Sequence, residues 1–422
     1  MKNDLSKEEI VLFDDEIVPY IDNCVLSKNV KVADYESVQM ERSGNVIHRP
    51  VPYIGRTYRG ADQSANFLGY TQNTVPVTLG NRVVAPFTMN SEELRDKSQM
   101  RQIIQANAEQ LASDINVDVL NAASSLGALV VASSTAATAT SFGEISECDT
   151  IMNKVGVNAS KRCIALSSGV ANGLAKTVPE LNSAPSMNAW KAYETSRVPI
   201  VNNFETFKLD YSNRIAAAGG ASDTIDTRLA AGNYYVPKAT QTAGTGERSN
   251  VDNRFQTITV SDTTGVLAGD ALTIVGIELL HHKAKKSSGD LKPFRVNKVI
   301  DGTTLEITPP IISNQGGSSA EKERQNCEVT STSATAAIVY LNTTAADICP
   351  FWHKDAIELI PGTLGTDPSA ANETFSRTEQ GIPIKMTKDH DIKTDTYFYR
   401  LDVLYDVAVL QPDMVGILLL GQ

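Results

Sequence analysis

Apolar positions along this chain change period partway, from the 3.6 of a helix to the 2 of a strand. Between residues 90 and 127, Leu94, Ile104, Ala108, Leu111, Ile115, Val119 and Ala122 fall on one helical face. Asn90 as N-cap, with Glu93 three residues on, has the form of a capping box, and Gly127 is a natural stop. About 36 residues at 1.5 Å each predict a rod of roughly 50 Å. Ahead of it, Ile10, Val11, Phe13, Ile17 and Val18 predict a short amphipathic helix over residues 8–20, with an acidic outer face at Asp14, Asp15 and Glu16. A strand-like stretch from Val38 to Val51 leads into residues 52–82, rich in Gly, Arg, Asn and Thr. Their weak periodicity predicts a long hairpin or extended loop, which suits reach toward a neighbour better than a compact enzyme.

Residues 127–224 are mixed, and beyond 225 the period is two. Phe255–Val260 alternates at period two, Ala271–Ile277 and Arg295–Ile300 more loosely. Asp301-Gly302 joins two β-prone runs, a strong hairpin signal. Residues 225–342 therefore predict an inserted antiparallel β module, with a polar stretch, Ser313–Ala320, near its exit. A long β-prone run, Tyr397–Leu410, follows, with Pro412 as a breaker.

Composition narrows the class without choosing within it. A chain of 422 residues makes two or three folding units and needs no disulfide or metal to fold. With 41% hydrophobic and 21% charged residues it is an ordinary globular chain. Its net charge of −11 repels phosphate, which argues against sequence-specific nucleic-acid binding. That balance fits a cytosolic enzyme, and equally a shell that encloses DNA without gripping it. The five cysteines are scattered with no CxxC pair, which argues against a zinc or thioredoxin-like centre and reads as reduced thiols. Met1–Ile10 lacks the apolar core of a signal peptide, and Leu126–Ala132 and Val415–Leu420 are too short to span a membrane.

Enzyme signals fail in turn. Gly244-Thr245-Gly246 lacks a third glycine and a following helix, Ser167-Ser168-Gly169 is no nucleophile elbow, and no P-loop lysine occurs. Asp389-His390-Asp391 reads as a charged surface turn. His281-His282 with Lys283, Lys285 and Lys286 is the one basic cluster of note. It lacks further ligands at metal spacing and aromatic partners for nucleic acid, so a solvated loop is the simpler reading, an intersubunit or folding contact the other. No catalytic, cofactor-binding or metal-binding residue is assigned.

Asn250-Val251-Asp252-Asn253-Arg254-Phe255, then Thr263-Thr264-Gly265 and Gly269-Asp270, resembles the inserted domain of short-tailed Salmonella-type phage coat proteins. Val299-Ile300-Asp301-Gly302-Thr303 and Glu306-Ile307-Thr308-Pro309 continue the resemblance in register. Met40-Glu41-Arg42-Ser43, Asn45-Val46-Ile47, Leu94-Arg95-Asp96, Phe351-Trp352, Asp355-Ala356-Ile357 and Gly416–Gln422 are similar to the same family. The likeness is nearly end to end, strongest in the β insertion and weakest across 127–224, and is carried by order and spacing rather than by one motif.

The resemblance implies the α+β fold of tailed-phage and herpesvirus major capsid proteins. Its parts would be an N-terminal arm (1–35), a peripheral domain with a long spine helix (36–51 and 83–126) and an E-loop (52–82). An axial domain (127–224 and 343–390), an inserted antiparallel β-barrel-like domain (225–342) and C-terminal peripheral-domain strands (391–422) would complete it. It implies a major capsid subunit, neither an enzyme nor a cofactor carrier, that forms hexamers and pentamers of itself. With a scaffolding protein and a portal, these would build an icosahedral procapsid in the host bacterial cytoplasm. That shell would enclose double-stranded DNA non-specifically, expand on maturation and engage no membrane.

The resemblance also marks candidate assembly contacts. Asp15-Glu16-Ile17 matches an Asp-Glu-Ile pattern to which the family's scaffolding protein docks a basic helical tip, with Asp14 beside it. In the loop at 238–252 the family's acidic pair is not reproduced, leaving Glu247 and Arg248 as candidates for ion pairs across capsomers. Asp252, Arg254, Lys283, Lys285 and Lys286 are further candidates. A β-rich tail or adhesin protein is the rival reading and predicts export or trimerisation motifs. An acidic cytosolic enzyme is another and predicts a convergent titratable cluster.

Overall fold

The computed structural model describes residues 26–33, 46–52, 54–55, 57–64, 67, 74–95, 97–181, 200–220, 224–225, 252–313, 323–331, 336–365, 373–377 and 381–422. The chain folds as two units. One draws on Met1–Ile47, Val77–Leu120 and Ile357–Ala408, the other on His48–Pro76, Asn121–Ala356 and Val409–Gln422.

The first unit is built on the strand Thr396–Val409. Tyr399, Leu401, Val403 and Tyr405 alternate inward, while Phe398 and Arg400 lie outside. Asn81–Asn90 pairs antiparallel along it from Thr396↔Asn90 to Tyr405↔Asn81, and Pro383–Asp391 pairs on its other side. Among the described residues, Asn81–Asn90 has no second strand beside it. Pro86 is tolerated there because an edge strand can spare an amide donor.

The long helix, α1, spans Lys97–Leu126. At 30 residues it is about 45 Å long, shorter than the sequence predicts. Asn90 does not cap it, because strand pairing holds Asn90 as the last residue of Asn81–Asn90. Half of the capping-box chemistry survives: the Asn90 amide donates to the Glu93 carboxylate at 3.0 Å, and Glu93–Arg95 form a 3-10 turn. Of the predicted apolar face, Ile104, Ala108, Leu111, Ile115 and Val119 are buried, Ala122 is half-buried, and Leu94 falls in the 3-10 turn ahead of the helix. Asp118 fixes this helix on the sheet, its Oδ2 accepting from Asn81 Nδ2 at 2.5 Å and from the Tyr405 hydroxyl at 2.6 Å.

The second unit holds a six-stranded sheet in the order Leu129–Ser133, Val415–Leu420, Cys349–His353, Arg162–Leu166, Phe204–Lys208, Ile200–Val201. Helices α2 (Phe142–Val155) and α3 (Ser168–Leu181) cover one face. Leu418 and Leu420 point into that core, together with Cys148, Met152 and Leu174. Ile417 and Leu419 point to the other face, against Val130, Ala271 and Ile348. Burial on both sides explains why Val415–Leu420 is an unbroken apolar run rather than an alternating one.

Ser141 and Glu144 form the capping box that starts α2, and Gly156 at φ 91° ends it. Arg162, 1% exposed, organises the next turn. Its guanidinium pairs with Asp149 and donates to Asn153 Oδ1 and to the carbonyls of Asn158 and Val157.

A second sheet in this unit has seven strands, all pairings antiparallel. The order is Thr224–Ile225, Ala336–Tyr340, Ala271–Leu280, Ser287–Asp301, Thr304–Thr308, Gln256–Thr259, with Cys327–Val329 also beside Ala271–Leu280. Its own core gathers Leu272, Ile274, Ile277, Phe294, Val296, Leu305 and Ile307. Fully burying one such side chain contributes about 1.5–3 kcal/mol. The predicted hairpin at Asp301-Gly302 is present, with Gly302 and Thr303 as its turn. Asp301 sits at the strand end and its Oδ1 accepts the Thr303 amide at 2.9 Å.

Candidate functional site

Asp14, Asp15, Glu16, Glu247 and Arg248 lie outside the described residues. The remaining candidates gather where the seven-stranded module meets the rest of its unit. Asp252 and Arg254 stand at its entrance. The Arg254 guanidinium grips both oxygens of Asp252, with Nη2 2.6 Å from Oδ2, stacks over Phe255, and donates through Nη1 to the Val409 carbonyl at 2.9 Å. Two of the three edges of this cation are thus engaged within the chain.

The basic cluster lies in the turn between Ala271–Leu280 and Ser287–Asp301. Lys283 and Lys286 are exposed, as a solvated loop requires. The rest of the cluster departs from that reading. His281 Nδ1 accepts the amides of Lys283 and Ala284, and its ring lies against Gly156 at the end of α2. The His282 amide donates to the Val155 carbonyl at 2.9 Å. Lys285, at φ 52°, donates to the carbonyls of Glu323 at 2.6 Å and Gln325 at 2.9 Å. Burial pushes Lys285 down to about 8 and His282 down to about 4.

Three residues that sequence reasoning did not single out complete the arrangement. Asp413, in the 3-10 turn Pro412–Met414, takes Lys292 Nζ on Oδ1 at 2.7 Å. Its Oδ2 lies 3.4 Å from Asn326 Nδ2 and 3.7 Å from His282 Nε2. Burial would raise the Asp413 carboxyl, but the charge of Lys292 and the hydrogen bonds from Lys292 and Asn326 outweigh it and hold the group below its ordinary range. The partners are 87 to 131 residues from Asp413 in the chain, so no local pattern announces them.

These groups bond to one another and to backbone, the chemistry of attachment rather than of turnover. Burial raises the thiols of Cys163 and Cys327 to about 12 and of Cys349 to about 11, leaving them protonated and poor nucleophiles. Asp389-His390-Asp391 ends the Pro383–Asp391 strand at an exposed hairpin, where His390 stacks on Tyr397 and faces Asp395 at 3.3 Å. Large apolar side chains stand out in solvent, Phe67 at 88% and Ile392 at 87% exposure.

A long helix laid on one sheet, a second sheet with two helices, and an antiparallel module on that second sheet make up the chain, and its family match makes it a phage major capsid protein, a structural and non-enzymatic component of the virion. The chain belongs to the P22 coat protein family: the family model described as "P22 coat protein - gene protein 5" matches residues 1–421. Among solved structures it is similar to one described as "Capsid structure of the Cyanophage P-SCSP1u", with 12% identity, 93% of this chain and 86% of that one covered, and a TM-score of 0.45. It is also similar to a chain described as "Mycobacterium phage Che8", with 10% identity, 93% and 90% covered, and a TM-score of 0.43. The CUS-3 coat protein I-domain is 32% identical over 29% of this chain and 99% of its own, with a TM-score of 0.23.

Proposed function

We propose that this coat subunit assembles with a scaffolding protein and a portal into an icosahedral procapsid in the host cytoplasm. The procapsid encloses double-stranded DNA and expands on maturation. The observation that carries this reading is the family match over residues 1–421. The charge agrees with it, since a surface of −11 holds packaged DNA without sequence-specific grip. In this reading residues 225–342 are the inserted domain, 52–82 the E-loop and 1–35 the arm. Each contact between subunits is weak, and repetition over the shell makes the assembly strong.

Within the arm, Asp15 receives the basic tip of the scaffolding protein by charge pairing, with Asp14 and Glu16 beside it. Lys283 and Lys286, exposed beside the packed part of their turn, are contacts for a neighbouring subunit. Electron microscopy of the purified protein, alone and with scaffold, tests the whole reading. Uniform closed shells are expected with scaffold, and aberrant or absent particles without it. Monomers that never close under either condition would refute it. Charge reversal, Asp15→Lys, should abolish scaffold binding, and shells in normal yield from that variant would remove the contact.

A further inference from the structure

Among the described residues, the side-chain partners of Asp413 all come from the seven-stranded module. His282 follows Ala271–Leu280, Lys292 lies in Ser287–Asp301, and Asn326 precedes Cys327–Val329. Asp413 itself belongs to the turn that leads directly into Val415–Leu420 of the six-stranded sheet. Lys292 is 1% exposed, and among the described residues Asp413 is its ion-pair partner. Lys285 and Glu323 lie nearby, with the Lys285 ammonium turned onto carbonyls of the module. Leu279 adds an apolar plug at this end, set among Cys148, Met152 and Val155.

The other end of the Ala271–Leu280 strand is held differently. Ala271 packs on Val130, Ile348, Ile417 and Leu419, and Asn342 donates to the Ala216 carbonyl at 3.0 Å while its Oδ1 takes the Ala271 amide. Asn342 Nδ2 also donates to the buried Asp270 carboxylate at 2.9 Å, with buried Arg295 beside it, and none of these contacts involves Asp413.

We propose that the two ends work as hinge and latch: the Ala271 end is a permanent pivot, and the charge on Asp413 keeps the His282–Lys292 end closed on the six-stranded sheet. A buried ammonium without a counter-charge is driven toward water. Neutralising Asp413 therefore moves Lys292 outward, and the strand that carries it must follow. The module has its own core around Phe294 and Leu272, so it swings as a body rather than unfolding. The Pro412–Met414 turn stays in place, tied by the Ala128 amide to the Pro412 carbonyl.

Hydrogen exchange of the full chain, read by mass spectrometry, tests the latch. In Asp413→Asn, amides of 281–292 and 323–329 should exchange roughly tenfold faster or more, while 271–275 and 415–420 keep wild-type protection. The double variant Asp413→Leu, Lys292→Met removes both charges and should restore protection at the latch. Unchanged exchange in Asp413→Asn would overturn the proposal. So would a uniform rise across the unit, global unfolding of that variant, or a double variant as open as the single one.

Discussion

The imidazole of His281 occupies the space that a side chain on Gly156 would need. A β-carbon at Gly156 would lie 2.5 Å from His281 Cε1, and Gly156 holds φ 91° as the residue that ends α2. The turn of the module and the end of the helix therefore fit only because position 156 carries no side chain. Gly156→Ala meets both a left-handed backbone and a clash, and should cost about 2–4 kcal/mol. A denaturation midpoint within error of wild type would contradict this.

Stability should fall with acid through His282. Its ring is held neutral to about pH 4 in the folded chain, whereas an unfolded histidine takes a proton at about 6.5. Between those values the unfolded state binds more protons, so stability rises with pH across the window and is lost as pH falls from 6.5 toward 4. The loss is up to about 3 kcal/mol. His282→Gln should flatten this limb in urea titrations at pH 4.5, 5.5 and 7. An unchanged limb would place the proton uptake elsewhere.

Arg162 should resist conservative replacement. Its planar fork serves Asp149, Asn153, Val157 and Asn158 at once, a pattern one ammonium cannot copy. Arg162→Met leaves the partly buried Asp149 without its cation and should lose about 3–5 kcal/mol. Arg162→Lys should recover less than half of that by thermal unfolding. Full recovery would show that charge alone matters there.

Assembly should be salt-sensitive through the loop at 238–252. If Glu247 and Arg248 make pairs across capsomers, Glu247→Ala, Arg248→Ala should assemble more slowly by light scattering. The deficit should widen as salt screens the remaining contacts. Wild-type kinetics at every salt concentration would exclude them from that role.

Several elements were legible because their signals are local. The face of α1 from Ile104 to Val119 and the turn after Asp301 emerge where the pattern places them, and the period-two run at Phe255–Val260 is a strand over Gln256–Thr259, with Gln256 rather than Phe255 on the inward face beside Ile258. The helix start did not, because the pairing of Asn90 with Thr396, 306 residues away, outcompetes a local cap. The basic turn was visible as charge, but its packing was not. Nothing near His282 in sequence tells that Val155 and Asp413 wait for it.

Periodicity and resemblance were enough to establish a coat subunit with a long helix and an antiparallel β module, since both depend on residues a few positions apart or on order along the chain. Folding in three dimensions settled the rest: that Val415–Leu420 lies beside Leu129–Ser133 with both faces covered, and that Lys292 finds its counter-charge on Asp413. Strand neighbours and buried ion pairs are chosen by the burial they achieve together, and that energy exists only once distant segments meet.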